Sequence, residues 1–219
     1  SFSHCICPPV GFGFMDFLTL AIIVTTVLYL LKKQEQRQHT LLLAQHLSRF
    51  QIEKLMAGLM EGYLRVIGEP DVQRRAQIWT VLENTESSLV AEFQRFADEF
   101  ATLPPESTRA STLPLALPYM DRLMPSATLD MRAAMKLHAQ AIAAVQVGAA
   151  HDEEERKRRA FTMTAELMLM QHSCHWFCKS RTVASMRLIA RHKTPYEQVL
   201  QSVAPATLKA YEKLVHRRN

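Results

Sequence analysis

Phe17–Leu31 reads FLTLAIIVTTVLYLL, a run without charge, glycine or proline. Carried back to Phe12 it becomes a 20-residue segment with one charged side chain, Asp16, near its start. About 20 residues in a helix cross the hydrocarbon core of a bilayer. Asp16 then falls within about a turn of the interface, where a carboxylate is tolerated; at mid-membrane it is costly. Residues 12–31 are therefore predicted to form a transmembrane helix, and the lipid bilayer is the first expected partner.

The charges on either side give an orientation. Residues 1–31 hold one acid and no Lys or Arg, so residues 32–219 carry 26 bases against 20 acids. Lys32, Lys33 and Arg37 follow the apolar run directly. A cleaved signal peptide has its bases before the apolar stretch and small residues after it. Neither holds here, so an uncleaved anchor is predicted. The positive-inside rule puts 32–219 in the cytoplasm and leaves 1–11 as a short extracytoplasmic N-terminus. His4-Cys5-Ile6-Cys7 in that terminus has two thiols one residue apart, too few for a complete metal site. The basic flanks suit anionic lipid: Lys32 and Lys33 at one end, and at the other Lys213, His216, Arg217 and Arg218, which suit a helix C-terminus as well.

Composition excludes several classes. The 219 residues hold only six glycines, and none lies between Gly68 and Gly148 or after it. Dinucleotide folds, phosphate loops and turn-rich sandwiches need more. Four cysteines, two of them before the anchor, do not make a disulfide framework. With 48% hydrophobic and 21% charged residues, the chain has the balance of a folded domain.

Beyond the anchor the apolar spacing is helical throughout, and the fold class expected is all-α: one transmembrane helix followed by a cytoplasmic bundle of long helices. Leu43, Leu47, Phe50, Leu55, Leu59, Tyr63 and Val66 mark a stalk running on from the anchor, with a bend expected near His39-Thr40. Gly68 and Pro70 break it. Leu89, Phe93, Phe96, Phe100 and Leu103 step by 4, 3, 4, 3, the core stripe of one helix over 71–103. Residues 32–103 thus form a stalk and first helical subdomain. Residues 104–125 hold five prolines and read as a crossover. Residues 126–219 form a second helical subdomain. Its first helix is capped by Ser126 or Thr128 and carries Met131, Met135, His138, Ile142 and Val145 inward. A helix of about 40 residues, roughly 60 Å, is predicted from Asp152 to Thr194, opened by pairs such as Asp152–Arg156 and Glu154–Arg158. Short helices follow from Pro195 and Pro205. Strand signal is negligible.

The densest cluster of reactive side chains is His172-Ser-Cys174-His175-Trp-Phe-Cys178. At about 100° per residue, Cys174 continues the apolar line Met163, Leu167, Met170, and His172 points the other way, to the surface. His172, His175 and Cys178 are the candidate metal ligands. A structural zinc needs four ligands and a catalytic one usually three, so a further ligand such as His138 or His151 would be required. Packing, with surface histidines, explains the cluster as well. No nucleophile elbow, metalloprotease helix or phosphate loop is present. No motif calls for a cofactor, and the bases are too mixed with acids to suggest specific nucleic-acid reading. The function expected is a membrane-anchored scaffold or adaptor subunit whose partners are other subunits of a membrane complex. Two alternatives stay open: a metal- or redox-responsive sensor built on His172, His175 and Cys178, and an enzyme whose site has no sequence signature.

Overall fold

The computed structural model describes residues 13–113, 117–147 and 152–216. The His4, Cys5 and Cys7 terminus, His151, and the basic residues Arg217 and Arg218 lie outside the described residues. The described chain is all-α apart from one short ribbon. In order come α1 (Phe14–Leu47), α2 (Ile52–Ile67), α3 (Val72–Ala101), β1 (Arg109–Ser111), α4 (Met120–Leu123), β2 (Thr128–Asp130), α5 (Met131–Gln146), α6 (Glu153–Cys178), α7 (Arg181–His192), α8 (Tyr196–Ser202) and α9 (Pro205–Val215).

The helix α1 has two unlike halves. Every described side chain from Met15 to Leu30 is exposed, although twelve of the sixteen are apolar. The hydroxyls of Thr19, Thr25 and Thr26 donate back to the carbonyls of Met15, Ala21 and Ile22 at 2.7–2.8 Å. That bond lets a threonine sit in an apolar medium without an unmet donor. Asp16 accepts from the Gly13 N–H at 3.1 Å, at the positive end of the helix. By length and composition this helix is able to cross a bilayer. From Glu35 onward the same helix is part of the bundle: Glu35 and Leu43 are buried, and Lys32 pairs with Glu35 at 2.8 Å. The helix is unbroken through His39-Thr40, where the Thr40 hydroxyl donates to the Gln36 carbonyl, and it runs on to Leu47. The stalk breaks at 48–51 instead, where the Gln51 N–H donates to Glu92 on α3.

One core unites the bundle. It takes Leu59 and Val66 from α2, Leu89, Phe93, Phe96 and Phe100 from α3, Met131 and Met135 from α5, and Leu167 and Phe177 from α6, each at most 2% exposed. Each such side chain contributes about 1.5–3 kcal/mol by leaving water. Residues on both sides of the proline-rich crossover share this core. Gly62 has a packing role: a Cβ there would meet Leu82 Cδ2 at 2.3 Å, so α2 and α3 pack closely at that point. Gly58 faces open space.

Four expectations need correction. Strand is present: β1 and β2 pair antiparallel with Ala110 opposite Leu129, and Trp176 donates to the Ser111 carbonyl at 2.9 Å, tying this ribbon to α6. Because Thr128 is drawn into β2, the cap of α5 falls to Asp130, which accepts from Arg132 N. The helix expected over Asp152–Thr194 is divided. Ser180 is extended and its hydroxyl accepts from Val183 N at 3.2 Å, so α7 starts afresh and folds back along α6. Finally, the Asp152 side chain caps α6 through Glu155 N, and the Arg156 guanidinium lies 4.0 Å from Glu83 of α3. Arg75 on α3 takes Glu153 at 2.8 Å, and Lys157 takes Glu154 at 3.0 Å. The helix start is thus partly bonded to α3. Lys193, left-handed at φ 56°, ends α7 just before Thr194-Pro195.

Candidate functional site

Helix α6 lies at the centre of the bundle and touches α1, α2, α5, α7 and α8. No charged residue occurs between Glu166 and Lys179. A helix apolar all round is buried all round, and the side chains of its last turns therefore enter several different environments.

Towards α5 and α9, Ser173 is fully buried and meets His138 Nε2 at 2.9 Å. The serine hydroxyl donates to the Leu169 carbonyl at 3.1 Å and lies 3.3 Å from the Tyr211 hydroxyl, which is itself bonded to Tyr196. With its proton committed to Leu169, Ser173 accepts from a His138 protonated on Nε2. That leaves His138 Nδ1 as a buried acceptor without a partner. Burial, then the neighbouring His172, pushes His138 down to about 3, so the ring is neutral. A serine beside a histidine is the outline of a nucleophile and its base. Here both are sealed in the core, and the pair serves as polar packing.

Towards α7 and α8, His172 is also buried. It sits 3.0 Å from the Ser185 hydroxyl through Nε2 and stacks on Tyr196 with ring centroids 4.2 Å apart. Arg181 lies over the Trp176 and Tyr196 rings beside it. Burial, then Arg181, pushes His172 down to about 3. The surface position expected for His172 is thus corrected: α7, folded back after Ser180, covers it. His172→Ala is expected to cost about 2–4 kcal/mol, as for other large buried side chains cut to alanine. The half-buried His175→Ala is expected to cost under about 1 kcal/mol. Thermal melts of the two variants, with and without chelator, measure this. A chelator-sensitive melt that His175→Ala abolishes would show a metal in place of packing.

His175 lies on the divide between two hollows. One is a crevice between α6 and α7 that His172 also borders; the other is a cleft shared with Cys178. His175 Nδ1 accepts from Arg187 at 3.1 Å, and burial together with Arg187, Arg191 and His192 lowers its pKa. Cys178 is bonded to Thr40 on α1, and burial raises its thiol despite the pull of Lys179 and Arg187. Cys174 points its sulfur at Met170 Sδ, 3.8 Å away, and burial raises it well above the ordinary thiol range. Both thiols are held protonated, the weak form as nucleophile or ligand. Among the described residues no group of three His, Cys, Asp or Glu side chains is placed to hold a metal ion.

Three features escaped the sequence reading. One is the His138–Ser173–Tyr211 chain. The second is a buried Glu86 on α3, whose carboxylate accepts the Tyr63 hydroxyl and meets Arg159 of α6 at 3.5 Å. Desolvation raises the Glu86 pKa against the pull of both partners. The third is a row of cations on and beside α7. Residues 167–196 contain Lys179, Arg181, Arg187, Arg191 and Lys193 and no acid, which is the signal that marks them. No family model matches the chain, and neither a curated protein nor a solved structure is found to be similar to it.

Proposed function

We propose that this chain is a single-pass membrane protein whose helical bundle is an assembly module, a scaffold or adaptor subunit of a larger membrane complex. One observation carries the membrane part of this reading. Among the described residues the apolar half of α1 packs against nothing in the bundle, whereas its continuation from Glu35 is built into it. Some 16 consecutive residues, Met15 to Leu30, exposed to water would be an aggregation hazard far beyond ordinary surface patches; in a bilayer they are at rest. Lys33 and Arg37, exposed just past the run, suit the cytoplasmic side.

Purification of the full chain from its own membranes in mild detergent tests the assembly role. Stoichiometric subunits retained through size exclusion support it, and a lone monomer counts against it. Orientation is tested by an impermeant maleimide on intact cells. Cys178 is a poor reporter because its thiol is half-buried, so Ser202→Cys, at an exposed site on α8, replaces it. With Cys5→Ser and Cys7→Ser also made, Ser202→Cys should react only after permeabilisation, and reaction from outside would reverse the topology.

A further inference from the structure

The cleft that Cys178 and His175 border encloses about 400 Å³ between α1, α2, α3, α6 and α7. Small-molecule sites run from about 300 to 1,000 Å³. Its walls are apolar: Leu43, Leu47, Met56, Phe96 and Met170 face it. Its rim is not. Lys179, Arg187 and Arg191 stand along one side, and Glu53 is the one acid on the opposite wall. Among the described residues none of those three cations is in an ion pair. Among the described residues Arg187 donates to His175 alone.

The position matters as much as the lining. Gln36 donates to the Lys179 carbonyl at 3.3 Å, and the His39 ring stacks on Phe177. The end of α6 is thus level with residues 36–39 of α1. Thr40, the first cleft residue on α1, is nine residues past Leu31. At 1.5 Å per residue that is about 14 Å from the end of the apolar run. This placement beneath a bilayer rests on the membrane anchor proposed above; the chemistry of the cleft does not.

We infer that the cleft binds one acyl chain of an anionic amphiphile, the chain lying against Leu43, Leu47 and Met170 and its carboxylate or phosphate held by Lys179, Arg187 and Arg191. An apolar hollow open to water gains from a chain that displaces it. Guanidinium groups bind carboxylate or phosphate through paired hydrogen bonds. A free fatty acid and one chain of an anionic phospholipid both meet the description.

The full chain is mixed with phosphatidylcholine vesicles carrying traces of a photoactivatable fatty acid, its methyl ester, or a phosphatidylglycerol with the same photoactivatable chain. Adducts are mapped after irradiation. The fatty acid, the phosphatidylglycerol or both should label cleft residues, and whichever does so identifies the source. The methyl ester should label only 14–31. The Arg187→Gln/Arg191→Gln variant should lose cleft labelling roughly fivefold for each guanidinium removed. Ala44→Trp, at an exposed position on the cleft wall, should block it without disturbing the core. Equal cleft labelling by the methyl ester, or no cleft labelling by any probe, overturns the inference. Cleft labelling with 14–31 unlabelled by every probe would refute the anchor and leave the cleft assignment standing.

Discussion

Phe96→Ala is expected to destabilise the bundle by about 3–5 kcal/mol, the usual cost of cutting a buried phenylalanine to alanine. The ring is fully buried and lies 5.7 Å from Phe93, 5.5 Å from Phe100 and 5.8 Å from Phe50, centroid to centroid. It therefore joins α3 to the turn that ends α1, and it also forms part of the cleft wall. Denaturant unfolding of the full chain in neutral detergent, followed by tryptophan fluorescence, measures the change. Trp79 and Trp176 are both buried and report on opposite ends of the core. A loss below about 0.5 kcal/mol would place the phenylalanine stripe at a surface and reassign it to a partner interface.

The second large effect is acid sensitivity. His138 and His172 are pushed down to about 3 in the folded chain, against 6.5 for an ordinary histidine. Between those values the unfolded state binds more protons than the folded one. The stability each neutral histidine brings is complete above about pH 6.5 and is lost as the pH falls towards 3. At pH 4.5 the loss is on the order of 3 kcal/mol per histidine, or about 5 kcal/mol for the two. Glu86 and Glu166 work in the opposite sense. Burial raises both, so they gain protons in the folded state first and add stability as the pH falls. A comparison separates the two effects. The unfolding free energy of the native chain, minus that of His138→Gln/His172→Gln, should fall by about 5 kcal/mol from pH 7.5 to 4.5. Parallel pH curves for the two proteins would mean that these rings are not buried and neutral.

The parts of the fold legible in the sequence are those set by strong periodicity or by proline. The stripe Leu89 to Phe100 identified α3 and its buried face, and Pro205 opens α9 at its first helical position. The breaks at 48–51 and at Lys179-Ser180 were not legible. Neither contains glycine or proline, and a serine that caps a new helix resembles a serine on the surface of an old one. The burial of His172 departs from expectation for a related reason. Helical angles say which residues share a side, and they do not say how many sides are covered. The absence of charge from Leu167 to Cys178 carried that information, because a helix enclosed by others tolerates no charged face. The cleft was out of reach for a different reason. Its rim comes from α7, whose return along α6 depends on the unread break at Ser180. Its walls come from helices far apart in sequence, Leu43 and Met170 among them.

The central claim is that Met15–Leu30 lies in a bilayer, and alkaline carbonate extraction of membranes containing the full chain tests it most directly. High pH strips proteins held by charge or by a partner and leaves a spanning helix in place. The account predicts that the chain stays in the membrane pellet and floats with lipid on a density gradient. Release of the chain into the supernatant would contradict it.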